Sequence, residues 1–349
     1  MGSDATLQVA YTPRHELADR PARWWHGVLG LVTFESAPPS REVPDLPVAE
    51  VRAPVLSNHG SICEVWRAPG ATQCGTQSRV RYSRSAELLF GSIVMREADC
   101  TPSLGTTGAT ALQRATELAY GEIFTVIAAL GHPHLLRVWN YLPQINLETA
   151  GRERYRQFNA ARQNAFVASG RAITGSVPAA CALGSPDGSP LVIYFLASRV
   201  PPIVVENPRQ VSAYHYPPRY GAHSPTFSRA SMSGNGPNAM LFVAGTASIV
   251  GHETVHIGDA GAQTRETLAN IAALVDEANR AAGARRFALQ DLQYKVYIRH
   301  SEDFAQIDAQ LRAVLDRSAQ VVYLQAQICR SDLLVEIEAT AGPALRADS

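Results

Sequence analysis

The chain has 349 residues, 46% of them hydrophobic, with 31 basic and 31 acidic side chains. That length suits two domains or one large one, and a formal charge of zero supplies no global field to draw the protein onto nucleic acid or an anionic membrane. Five cysteines (Cys63, Cys74, Cys100, Cys181 and Cys329) form an odd set without CxxC spacing, which argues against a disulfide framework or a structural zinc site.

No apolar run approaches the ~18–20 residues that a membrane-crossing helix needs. The first five residues start no basic segment followed by an apolar core, so a cytoplasmic location is the expectation. Lys295 is the only lysine; the other 30 basic residues are arginines, whose planar guanidiniums suit bidentate capture of carboxylates.

In chain order, the first hundred residues are rich in Pro, Ser and Arg, with short strand-like runs at 28–34 and 86–94. Leu112, Ala115, Leu118, Ala119, Ile123, Val126 and Ile127 recur at helical spacing and predict a helix over 111–130, stopped by Gly131-His132-Pro133. A strand over 135–142, a helical stretch over 153–170 and a turn-rich link at 182–188 follow. Residues 199–240 show little regular pattern and are dense in Pro, Tyr, Ser and Gly. A long irregular segment inside a compact protein is usually functional.

The second half repeats the order. A strand with a glycine bend spans 241–250, a helix 263–282 and a strand 289–298. Strand, helix, strand in both halves predicts duplication of one α+β unit, divided as 1–185 and 186–349 and packed as a paired, barrel-like body.

The last predicted strand, Leu333-Leu334-Val335-Glu336-Ile337-Glu338, places carboxylates inside an apolar run. Alternation puts Glu336 and Glu338 on one face, Val335 and Ile337 on the other. A half-buried carboxyl resists ionisation unless paired, so its pKa is adjustable. Cys329 lies seven residues upstream. An acid and a thiol meeting at a strand end make a small-molecule reaction centre.

His252-Glu253-Thr254-Val255-His256 matches HExxH, the zinc-protease pattern, which requires a helix to aim both histidines at one metal. Here glycines flank it and Thr254 and Val255 are β-branched, so a loop or hairpin is expected and no metal site.

Ala244-Gly245, Gln263-Thr264, Asn270-Ile271, Tyr297 and Val335–Glu338 resemble the RidA/YjgF fold over residues 241–341. A wider match spans most of the chain. Trp139–Pro143, Glu153–Asn159, Asn207–Tyr214 and Ser224–Arg229 are similar to the chorismatase family. The resemblance implies an α+β protein of two RidA/YjgF-like (chorismate-mutase-like) domains, the N-terminal one diverged, each a mixed sheet packed with helices. It implies an enzyme that cleaves the enolpyruvyl ether of chorismate to pyruvate and a cyclohexadiene or benzoate, with no metal or organic cofactor. Glu336 matches the family's catalytic glutamate, and Tyr155, Arg162, Tyr216 and Arg229 its substrate contacts; Arg299 is a further carboxylate-binding candidate. A cysteine at the Cys329 position accompanies formation of 3-hydroxybenzoate in the family, and the residue near Ala244, with Gly245 adjacent, is the second product determinant. The partner expected is chorismate, with no nucleic acid or membrane partner. Internal duplication favours a monomer, with a homo-oligomer as the alternative. The fold also hosts unrelated activities, so an imine deaminase and a non-catalytic carboxylate-binding module are the competing readings.

Overall fold

The computed structural model describes residues 7–34, 46–56, 61–100, 108–234 and 238–342. Two of the long helices open on side chains that satisfy free backbone groups. Thr110 caps the Ala111–Ala129 helix in a reciprocal bond pair with Gln113, and Gly131, at φ 74°, ends its turn. Asp259 accepts the Ala262 amide at 2.8 Å to open the Ala260–Ala281 helix. None of the described helices is long and apolar enough to cross a membrane.

Two six-stranded sheets carry the chain, and they have one topology. In the first, the spatial order is Gln73–Gln77, Val80–Arg84, Leu88–Met95, Leu191–Ser198, His134–Pro143, Ala179–Ser185. In the second it is Ile203–Val205, Ala230–Ser233, Met240–Ala247, Val335–Ala341, Leu292–Ile298, Val321–Gln325. In each, only the last two strands run parallel. The duplication read from the sequence is therefore present strand for strand.

Two expectations are corrected. Residues 182–185 finish a strand rather than open a link. The division at 185 also falls inside a sheet, because Leu191–Ser198 pairs with Leu88–Met95 and with His134–Pro143. The segment 182–188 reads as a link from its Pro and Gly, yet it ends one strand and turns the chain back into the same sheet.

A third, smaller sheet comes from residues 8–67, in the order Gln8–Pro13, Ile62–Arg67, Val28–Thr33, Val48–Glu50. This repeats the last four strands of the larger sheets, again with a single parallel pair at the end. The three inner faces meet in one core that includes Val32, Trp66, Phe90, Trp139, Tyr194, Phe242 and Tyr297. Helices cover the outer faces of the two large sheets through separate clusters.

At the centre of this shared core stands Lys295, 1% exposed. Its ammonium pairs with Glu64 and with Glu338 (2.7 Å) and donates to the Tyr194 hydroxyl at 3.0 Å. The three partners come one from each sheet, so the only lysine of the sequence ties all three together.

Candidate active site

Beside that core, a cavity of about 460 Å³ opens between the two large units. The start of the Arg154–Ala168 helix contributes Glu153, Tyr155 and Arg156. The irregular segment adds Tyr216, Arg219, Tyr220, Phe227 and Arg229, and the second unit Gly245, Ala247, Cys329, Arg330, Asp332 and Glu336.

Glu336 lies on the floor, 3% exposed. Among the described residues its carboxyl forms no hydrogen bond or ion pair. Burial, then the negative charge of Glu338, push its pKa up to about 8, against the pull of Arg137, Arg229 and Arg299. Two positions on, Glu338 has the opposite fate. Lys295, Arg137 and the Trp139 indole (2.8 Å) hold it, and Lys295 above all keeps its pKa below the usual carboxylate range despite burial. One strand face thus carries a carboxyl kept protonated beside one kept ionised, a pattern that separates acid and base roles.

The backbone makes room for Glu336 by two devices. The Met240–Ala247 strand bulges between Val243 and Thr246 where it pairs with the Glu336 strand. Within the bulge, Gly245 has no side chain, and a Cβ there would lie 2.0 Å from Glu336 Oε1 and 2.9 Å from Cys181 Cβ. The first unit has no register shift at the corresponding pairing.

Cys329 shares the cavity, its thiol pushed up to about 12, first by burial and then by the charge of Glu336. It stays protonated at neutral pH and is no thiolate nucleophile.

The cationic wall is built from rings and guanidiniums. Arg229, 3% exposed, donates to the Tyr216 hydroxyl at 2.7 Å and the Val211 carbonyl at 2.9 Å. Its guanidinium lies 5.5 Å from the Tyr216 ring. Arg330 lies over Tyr220 at 4.2 Å and Tyr216 at 5.2 Å. It donates Nη1 to the His252 carbonyl and Thr254, while its buried Nη2 has no partner. Neither arginine is in an ion pair among the described residues, although Arg229 acts on the nearby carboxyl of Glu206. Two cations that face the cavity outside any ion pair are ready for an anionic ligand.

Of the residues singled out from the sequence, Glu336, Cys329, Tyr155, Tyr216 and Arg229 converge on this cavity. Three do not line it. Arg162 is a buried residue of the Arg154–Ala168 helix, bonded to Asn159 at 3.2 Å and over the Phe158 ring at 5.2 Å. Arg299 spends its donors on the carbonyls of Ile328, Arg330 and Leu333 and on Asn146, so it braces the loop bearing Cys329 instead of meeting a carboxylate. Ala244 is fully buried in the bulge, and its neighbour Gly245 faces the cavity. Arg330 was missed; the sequence signal available was its adjacency to Cys329.

The HExxH residues lie in a hairpin, with strands Ile249–Val250 and Glu253–Thr254. His252 meets Arg219, His256 meets Glu266, and no metal-binding cluster exists among the described residues. Arg219 also pairs with Glu253 at the cavity mouth.

Comparison with known proteins agrees with this geometry. Residues 64–197 match the family model described as chorismatase FkbO/Hyg5-like, N-terminal, and residues 223–342 that described as endoribonuclease L-PSP, the part with the RidA/YjgF-like fold. A chorismatase from Streptomyces rapamycinicus is 41% identical over 80% of this chain and 81% of its own length. A 3-hydroxybenzoate synthase from Streptomyces hygroscopicus is 36% identical over 89% and 90%. A crystal structure of a chorismatase superposes with a TM-score of 0.83 at 31% identity, covering 98% of this chain and all of the other.

Proposed function

Because the chain belongs to the chorismatase family, we propose that its cavity binds chorismate and that Glu336 protonates the methylene carbon of the enolpyruvyl ether. The observation that carries this reading is the un-ionised Glu336 carboxyl, free of protein partners, below two unpaired guanidiniums. Chorismate bears two carboxylates, and Arg229 and Arg330 are their ligands. Tyr216 and Tyr220 hold the arginines in place through ring contacts.

Protonation converts the vinyl ether to an oxocarbenium ion and leaves Glu336 as the carboxylate. The neighbouring ring hydroxyl then attacks the cationic carbon and gives its proton to the Glu336 carboxylate, closing a ketal. The ring carbon–oxygen bond of that hydroxyl breaks, the adjacent ring C–H proton is lost and the ring aromatises; the hemiketal left behind expels the phenol oxygen, which takes up that proton, to give pyruvate and 3-hydroxybenzoate. The atoms of chorismate divide between the two products with no co-reactant. Attack by water instead yields pyruvate and 3,4-dihydroxycyclohexa-1,5-diene carboxylate. The aromatic route is favoured by Cys329, which occupies the cavity beside the acid as a neutral, poorly hydrated thiol. It is also the product named for one of the relatives.

Incubating the purified protein with chorismate tests the proposal. Pyruvate and 3-hydroxybenzoate are expected in equal amounts. A diene as the main product would move the assignment to the hydrolytic route. Ammonia from imino acids without pyruvate from chorismate would move it to an imine deaminase.

Two variants refine the roles. Cys329→Ala is expected to divert product toward the dihydrodiol, and an unchanged aromatic fraction would remove the thiol from product control. Arg330→Ala is expected to raise KM by about 10–100-fold, the loss of one charge-assisted bond to a carboxylate. An unchanged KM would show that Arg330 does not touch the substrate.

A further inference from the structure

We propose that a second cleft, between the first large sheet and the small N-terminal sheet, is a ligand site for a small dicarboxylate that it holds without turnover. The cleft has a volume of about 730 Å³. Its position follows from the repeated topology. Val192 sits between Val94 and Tyr141 in the first sheet as Glu336 sits between Ala247 and Tyr297 in the second. Counting from those pairs, Val94 and Arg96 of the second cleft stand where Ala247 and Ile249 stand in the first. The turn 187–190 takes the place of the loop bearing Cys329. The small sheet supplies the opposite wall through Val48, Glu50 and Arg52.

The acid position is therefore a valine, buried at 3% exposure, and no residue of its strand lines this cleft. Anion-binding chemistry is retained. Five arginines line it against three carboxylates, Glu50, Glu97 and Asp187. Arg154 is taken by Glu97, Arg79 by Glu122, and Arg81 donates to the Leu46 carbonyl at 2.9 Å. The side chains of Arg52 and Arg96 form no ion pair or hydrogen bond among the described residues. Two unspent guanidiniums fit a ligand with two separated negative charges. The sites are adjacent through the chain itself, since the consecutive residues Arg154 and Tyr155 line different cavities.

The test is calorimetric titration of the full chain with isophthalate, a ring dicarboxylate with no ether to cleave, and with benzoate. Arg52→Ala/Arg96→Ala is expected to lose one isophthalate-binding event per chain relative to wild type while cleaving chorismate at the wild-type rate. Benzoate is expected to bind that event about tenfold more weakly, having lost one charge contact. Identical isophthalate isotherms for the two proteins would overturn the site, and equal affinity for benzoate would overturn the dicarboxylate class. Chorismate cleavage reports on Glu336 alone, so failure of the catalytic reading and failure of this one are read separately.

Discussion

Glu336→Gln is expected to lower kcat/KM for pyruvate release from chorismate by about 10²–10⁴-fold, the usual worth of a positioned general acid. Glutamine keeps the shape of the side chain above Gly245 but has no proton to give. The fold is expected to persist, because the carboxyl has no protein partner to lose. In the wild type, kcat/KM is expected to fall as pH rises through about 8, where the acid ionises.

Stability follows the same group. A carboxyl whose pKa is raised by folding contributes in full below its unfolded value and loses that contribution as pH climbs to its folded value. For Glu336 the window runs from the ordinary 4.5 to about 8. Across it the glutamine variant is expected to gain on wild type by a few kcal/mol, levelling off above. Thermal midpoints of the two proteins across pH measure this. Parallel pH curves, or a variant with full turnover, would remove Glu336 from the mechanism.

Lys295→Met is expected to cost about 3–5 kcal/mol, the penalty for removing one partner from a buried ionic cluster. Methionine fills the space but leaves Glu64 and Glu338 facing each other in a core shared by three sheets. Arg137 and Trp139 still hold Glu338 and do nothing for Glu64. A carboxylate with a depressed pKa contributes stability above the ordinary carboxylate range and loses it as pH falls through its folded value. Lys295 is the largest attractive influence on Glu338, so its removal raises that folded value and acid unfolding is expected at higher pH. Denaturant unfolding at neutral pH and acid titration followed by tryptophan fluorescence check both parts. A midpoint unchanged in either experiment would show that the cluster serves packing alone.

Much of this protein is legible in its sequence because it rests on local periodicity. The Ala111–Ala129 and Ala260–Ala281 helices follow from apolar spacing and capping residues. The shared face of Glu336 and Glu338 follows from the two-residue repeat of a strand, which holds whatever packs above it. The tandem repeat of the two large units is visible in the order of elements, and the hairpin at the HExxH residues follows from flanking glycines and β-branched residues.

The rest depended on groups distant in the chain. Of the third sheet only the run at 28–34 stood out, because its helices, Arg14–Ala18 and Ala22–Trp25, span barely a turn each and leave no helical period to mark a further unit. Arg299 and Arg330 look alike as cations near a strand end. Only the fold decides that carbonyls of residues 328–333 exhaust the first while the second keeps a donor free in the cavity. Nothing local to Lys295 marks its role, yet it lies where three sheets converge, 231 residues from Glu64 and 101 from Tyr194. Sequence alone determined which strand carries the acid and which neighbour shares its face. The tertiary structure decided that one carboxyl is neutral and the other charged, because desolvation and distant cations act through space and not along the chain.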